Sequence, residues 1–210
     1  MIFRKIITKI KMFRMNKNHT EFYRKAIHIS SILLPIAYRY VFNYNRKLTI
    51  LVFMILAVIS VIVELLRLEN RSFRKFFYSV FGIMLRRHEM NDFTGASYLL
   101  TSAIVCVAFF PKDIAFAAMS FLSIGDTMAA LVGIHLGKRK FLNISKSFEG
   151  FLACFISTLI FGLFFLNPFI AFFGSLTAAF AELLKVPIDD NVKIPILSGI
   201  AMMMAYLFVG

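Results

Sequence analysis

Acidic side chains are scarce in this sequence, and so are cysteine, proline and tryptophan. Only 11 of the 210 residues are Asp or Glu, against 24 Lys and Arg, which leaves a formal charge of +13. The two cysteines, Cys106 and Cys154, both lie inside apolar runs and read as small hydrophobes, not as a disulfide pair. Five prolines and ten glycines build no low-complexity tract, and neither an internal repeat nor a second domain is visible. The basic stretch at the start lacks both an unbroken apolar core and a small-residue cleavage site, which argues against a signal peptide.

Apolar residues, by contrast, are abundant. They make up 60% of the chain, with 26 Phe and a mean hydropathy of +0.78. Ordinary globular domains hold about 45–50% on a broader count, and a soluble domain of this length could not hide the excess. The fold class expected is therefore an all-α integral membrane protein. Apolar runs long enough to span fall at 26–42, 48–66, 95–110, 114–134, 150–166, 168–184 and 194–210, about seven transmembrane helices. The break between the fifth and sixth is placed at Asn167-Pro168, because proline suits the first turn of a helix.

Two further segments are amphipathic and basic. Residues 1–20 interleave Ile2, Phe3, Ile6, Ile10 and Phe13 with Arg4, Lys5, Lys9, Lys11 and Arg14, the pattern of a helix lying on a membrane surface. This gives a division into an interfacial helix, 1–23, and a polytopic catalytic domain, 24–210. A second interfacial helix is expected within 68–92. Because the Lys and Arg flank apolar spans, they point to anionic lipid headgroups and topology, not nucleic acid. With the amino terminus in the cytoplasm, the outer side carries only Arg39, Arg46, Lys47 and Lys112, and the other 20 basic residues fall inside. A multi-pass protein with a cytoplasmic polar face follows.

The few carboxylates then stand out. Glu64, Asp126, Glu149, Glu182, Asp189 and Asp190 each sit in or beside an apolar segment, where a charge costs about 2.5–3.5 kcal/mol. Asp126, in "SIGDT", lies mid-span; Gly125 suggests a broken helix, with Asp126 and Thr127 capping a new half that runs through Gly133. Such a start offers N–H groups to an anion and a carboxylate oxygen to Mg²⁺. The plainer reading is a buried ion pair. Gly137-Lys138 resembles part of a phosphate loop without its full spacing. Ser145 or Ser147 suits a helix cap and Glu149 the first turn, which leaves Lys146 without a structural task. Asp189-Asp190-Asn191 reads equally as turn chemistry, bracketed by Pro187 and Pro195, or as a metal site. Glu64 and Arg67 can pair on one helix face, and Arg24 and His28 share another.

In order, "RKAIH", "ELLR", "TGASYLL", "GDTMAALVGIHLGK", "SKSFEG" and "AELLKVPIDDNVKIP" resemble the successive motifs of the polyprenol kinase family, which includes dolichol kinase, phytol kinase and CTP-dependent diacylglycerol kinase. The resemblance runs from about Arg24 to the last helix. It implies an integral membrane enzyme that moves the γ-phosphate of CTP, or a related nucleotide, onto a lipid alcohol with Mg²⁺. The central block also resembles the related phosphatidate cytidylyltransferases. The late loop, however, lacks their Gly-Gly and Asp-Arg-x-Asp pattern and the chain is shorter, both of which favour the kinase.

By matched position, the resemblance makes Asp126, Asp190 and Asn191 metal and phosphate-site residues, with Asp189 beside them. Lys138, Lys146 and Glu149 would line the nucleotide, and Arg24, Lys25, His28, Glu64 and Arg67 would support the site. Thr127, Gly133, Gly137 and Ser147 complete the expected nucleotide-binding set. Asp126, Lys146, Glu149 and His28 are the catalytic candidates, the last two as alternative proton acceptors. A small transporter or membrane scaffold is the reading from another class.

Overall fold

The computed structural model describes residues 29–82, 85, 88–141 and 146–209. Among them every regular element is a helix, apart from one isolated bridge between Lys140 and Ser147. The first is a short α1, Leu33–Ile36, which widens into a π-helical turn at Ala37–Val41. Then come α2, Arg46–Glu69, and α3, Arg71–Phe81. A single 3₁₀ turn, His88–Met90, leads to α4, Gly95–Phe109. The chain closes with α5, Lys112–His135, α6, Phe148–Leu163, α7, Pro168–Leu183, and α8, Asp190–Val209. The basic segment 1–23 lies outside the described residues.

Each expected apolar run contains helix among its described residues, but they are not equivalent, and in the first a turn at Ser31 and Ile32 precedes the short α1. Three helices, α2, α5 and α8, are long and apolar enough to cross a membrane by length and composition. The other three, α4, α6 and α7, are apolar but shorter, at 15, 16 and 16 residues. Asn167 starts α7 as expected: its side chain accepts the Phe169 N–H at 2.9 Å, and Pro168 takes the first position, where no N–H is needed. The expected amphipathic helix within 68–92 is α3. Asn70 serves both neighbours, ending α2 and capping α3 through bonds from Ser72 and Phe73 N–H.

Two expectations fail, each for a visible reason. Gly125 does not break its helix; α5 runs unbroken through Asp126. What the glycine supplies is closeness. A Cβ there would stand 2.8 Å from Cys154 Sγ and 3.0 Å from Thr158 Cγ2, so α6 packs against bare backbone. Pro195 does not bracket a loop; it lies inside α8, which begins at Asp190. A proline there cannot bond the carbonyl four residues earlier. That carbonyl belongs to Asn191, and Ser102 Oγ of α4 donates to it at 2.6 Å.

The core gathers on α5, whose buried residues include Ala115, Ala117, Ala118, Ser120 and Ser123. Helices α6 and α8 pack along it, α7 lies against both, and α2 stands outside on α4. The first helical stretch is tied in by a 2.5 Å bond between Ser31 and Ser123 hydroxyls. At the far end, Asn43 and Tyr44 adopt left-handed backbone (φ 46° and 59°), a strain of about 1–3 kcal/mol for a bulky residue. It persists because the Tyr44 hydroxyl donates to Asp113 Oδ1 at 3.0 Å and Arg46 donates to the Phe110 carbonyl at 2.8 Å.

Candidate functional site

At the opposite end, the loop after α5 folds back to place one lysine. Phe148 N–H donates to the Arg139 carbonyl at 2.8 Å and Phe141 N–H to the Lys146 carbonyl at 3.3 Å. Ser147 caps α6 by accepting the Gly150 N–H at 3.1 Å. Gly133, Gly137 and Gly150 crowd around this serine: a Cβ on Gly137 would sit 2.7 Å from Ser147 Oγ, and one on Gly150 would sit 2.8 Å from the Ala129 carbonyl. The two expected nucleotide-binding glycines, Gly133 and Gly137, therefore let the start of α6 press against the end of α5.

Glu149 belongs to the same loop. Its carboxylate accepts the Lys138 and Arg139 N–H groups, each at 3.2 Å, and pairs with Arg139 Nε at 3.1 Å. Its own backbone N–H, opposed in part by desolvation, and then the Arg139 side chain and N–H hold its carboxyl below the usual carboxylate range. Lys138, its side chain exposed, takes part through its backbone.

From this loop Lys146 crosses to the ends of α7 and α8. Its ammonium meets Glu182 Oε1 at 2.9 Å, the Glu182 carbonyl, and Asp190 Oδ2 at 3.7 Å. Lys193 approaches from within α8, meeting Asp190 Oδ1 at 2.7 Å and the Leu184 carbonyl. Both lysines thus reach the carboxyl-terminal end of α7, where carbonyls without helical partners and the helix dipole favour cations. Asp126 lies on the inner side of this cluster, near enough for its charge to act on Glu182 and on Cys154. Asp126 and Thr127 are both buried. The Thr127 hydroxyl is one of two buried side-chain oxygens among the described residues that have no hydrogen-bond partner.

The starts of α6 and α8 therefore bring Lys146 and Asp190 together at the end of α7, with Asp126 within electrostatic reach of Glu182. Asp189 does something simpler: its Oδ1 accepts the Asn191 N–H at 2.9 Å, capping α8. Among the described residues no three of His, Cys, Asp and Glu stand close enough to hold a metal ion. Glu182 and Asp190 are paired with lysines.

A second buried network sits beside the first. Arg67 is fully enclosed and bonds Glu64 at 2.5 Å, the Glu89 carbonyl at 2.6 Å and the Asp92 carbonyl at 2.5 Å. Glu64 in turn accepts from Thr94 Oγ1 at 2.5 Å and its N–H at 3.1 Å. Glu89 accepts the Gly95 N–H at 3.1 Å, and a Cβ on Gly95 would stand 2.6 Å from Asn191 Nδ2. Glu64 and Arg67 are thus a clamp that fixes the 88–95 segment, with Asn191 seated against it. Arg24, Lys25 and His28 lie outside the described residues.

Glu182, Lys193, Glu89 and Thr94 complete these networks although no motif singled them out as site residues. Glu182 carried a signal as a carboxylate in an apolar run, Thr94 and Lys193 lie within the matched motifs, and only Glu89 carried none. The profile of the cytidylyltransferase family matches residues 3–209. The CTP-dependent diacylglycerol kinase 1 of Schizosaccharomyces pombe is 26% identical, over 91% of this chain and 96% of its own. That of Eremothecium gossypii is 28% identical, over 67% of this chain and 53% of its own. An uncharacterised protein of Rickettsia prowazekii is 29% identical, over 82% of this chain and 88% of its own. No solved structure matches. The motifs that meet at Lys146 are drawn from one continuous match, and the chain belongs to the cytidylyltransferase family.

Proposed function

We propose that this protein is a CTP-dependent lipid kinase that transfers the γ-phosphate of CTP to the hydroxyl of a membrane lipid alcohol at the cytoplasmic face of a multi-pass bundle. The acceptor class is a polyprenol, a phytol-type alcohol or diacylglycerol. One observation carries the reading: Lys146 is drawn from its loop onto Glu182 and Asp190, beside buried Asp126. A cation just before the start of α6, facing carboxylates at the end of an apolar bundle, suits a triphosphate arriving from water and an alcohol arriving from lipid. The relatives named CTP-dependent diacylglycerol kinase support the same donor and acceptor classes.

In the transfer, the lipid hydroxyl oxygen bonds the γ-phosphorus, the bond to the β–γ bridging oxygen breaks, and CDP leaves. Positioning and charge neutralisation do most of the work in such reactions. Lys146 turns from Glu182 to the phosphates, and Lys138, already exposed, adds a second positive charge. The Thr127 hydroxyl, unpartnered in the interior, gains an acceptor. Of the two proton acceptors considered, Glu149 is committed to its loop, which leaves His28 as the one to test first. The oxygen donors of Asp126 and Asp190 suit a hard cation such as Mg²⁺, which would supply further neutralisation of phosphate charge. Asp190 is shared with two lysines, Lys193 at 2.7 Å and Lys146 at 3.7 Å, and both compete with a cation for its oxygens.

The test uses purified protein, a panel of lipid alcohols, and CTP labelled at the α- or the γ-phosphate. Label reaching lipid from the γ-position alone is the expected result. The family's name favours a second reading, a phosphatidate cytidylyltransferase-like CDP-lipid synthase; label from the α-position alone would establish that instead. No transfer from any nucleotide would return the chain to the transporter or scaffold class.

A further inference from the structure

The helix α3 is joined to the bundle along one side only. None of its residues is buried. Phe73 and Phe77 turn toward the end of α2, where Phe77 lies 5.5 Å beneath the Arg67 guanidinium. Arg74 donates to the Arg67 and Leu68 carbonyls, satisfying the last turn of α2. Tyr78 donates to the Met90 carbonyl at 2.5 Å. The neighbouring apolar side has no such partners: Phe76 is 62% exposed and Val80, one turn on, is 50% exposed.

We propose that this free side of α3 is seated in a bilayer leaflet that carries anionic lipid. Three observations select that occupant. First, α3 follows α2 with only Asn70 between them, and α2 is an apolar helix of spanning length with most of its surface uncovered by the bundle. A helix that starts where a spanning helix ends lies at headgroup depth. Second, its apolar positions, 73, 76, 77, 80 and 81, make a stripe wide enough to serve two surfaces. The bundle uses one edge and leaves the other. Third, the charge is of one sign: Arg71 and Lys75 are exposed, and no acidic residue occurs between 71 and 81. Basic residues near an anionic leaflet are drawn to its negative surface potential. A second copy of the chain would set these cations against one another across a two-fold interface.

The chain has no tryptophan, so Phe76→Trp installs a unique probe in the full-length protein. The variant is reconstituted in phosphatidylcholine vesicles with acyl chains brominated near the headgroup, with and without about 30 mol% phosphatidylglycerol. Expected are blue-shifted emission, shielding from iodide, and quenching by the brominated chains of about two-fold or more. Adding the anionic lipid should deepen the quenching, and Arg71→Gln with Lys75→Gln should remove that increment. Emission open to iodide and untouched by bromine would place the face in water and overturn the proposal. Shielding from both quenchers would place it against protein and overturn it equally. An anionic increment that survives the double neutralisation would refute the charge argument. Val80→Trp, on the same face, repeats the measurement should Phe76→Trp not fold. None of these readings depends on the reaction proposed above.

Discussion

Helices α2 and α5 are both 24 residues long and both are apolar enough to span a membrane, yet they occupy opposite environments. In the most apolar stretch of α2, 17% of residues are buried; in that of α5, 78% are. The helix richer in Ile, Leu and Val is the outer one, and the helix richer in Ala, Ser and Gly is the core. This inverts the rule for a water-soluble domain but follows from the solvent. Lipid tails are as apolar as leucine, so helices gain by close backbone approach, which small residues allow. Each helix also buries one carboxylate, Glu64 on α2 and Asp126 on α5. On the proposed function, those two acids divide between structure, at Glu64, and catalysis, at Asp126.

The largest effect is expected at Glu64. Glu64→Gln leaves the enclosed Arg67 guanidinium without its counter-charge, and removing one member of a buried pair costs about 3–5 kcal/mol. A large loss of thermal stability in detergent is the expected result; a variant as stable as the parent would mean that the clamp is solvated. Asp126→Asn should do the reverse. It should lower CTP-dependent lipid phosphorylation by at least about 100-fold, as loss of a charge acting at the reacting groups does, with the melting curve nearly unmoved. Full activity would remove Asp126 from the site, whereas equal destabilisation of the two variants would erase the distinction between the acids.

Much of this contrast is readable in the residues alone. Apolar runs locate the helices, Asn167-Pro168 locates a junction, and Ser147 and Glu149 announce the start of α6. Position within the bundle is not readable that way. Both α2 and α5 pass a hydropathy threshold, and only packing decides which face meets protein. Gly125 looks like a helix breaker because glycine weakens an isolated helix; its use as a seat for Cys154 depends on a helix about 30 residues away. Asp189 to Asn191 look like a loop between two prolines because the hydroxyl that compensates for Pro195 comes from Ser102, in another helix. Glu182 opens the late motif, but its role there is not legible, since its partner is a lysine 36 residues earlier.

A smaller effect tests the close approach of α5 and α6. Gly125→Ala should gain about 0.5–1 kcal/mol from helix propensity. It also forces a Cβ to within 2.8 Å of the Cys154 sulfur, and overpacking costs about 1–3 kcal/mol. The steric cost should win, and adding Cys154→Ala should recover most of it. If Gly125 were a hinge, the second change would restore nothing. Smaller still is the pH response of the Glu149 loop. Its carboxyl is held below the ordinary value, so the stabilisation is complete above the unfolded carboxylate pKa, about 4.3, and is lost as pH falls through the folded value. The difference in melting temperature between the parent and Glu149→Gln should therefore be constant from pH 7 to about 5.5 and shrink below about pH 4.

The smallest expected effect is the one on which the comparison of α2 with α5 depends. Leu51, Ile55 and Val58 on α2 are each more than half exposed in the isolated chain. If that surface faces lipid, exchanging one aliphatic side chain for another moves apolar atoms between equivalent surroundings. Leu51→Val, Ile55→Leu and Val58→Leu should then each stay within about 0.5 kcal/mol of the parent. The same kind of change on α5, Ala118→Leu, has no room and should cost about 1–3 kcal/mol or more. Comparable losses on the two helices would show that another protein surface covers α2. Helix length and apolarity would then not distinguish the core of this bundle from its boundary.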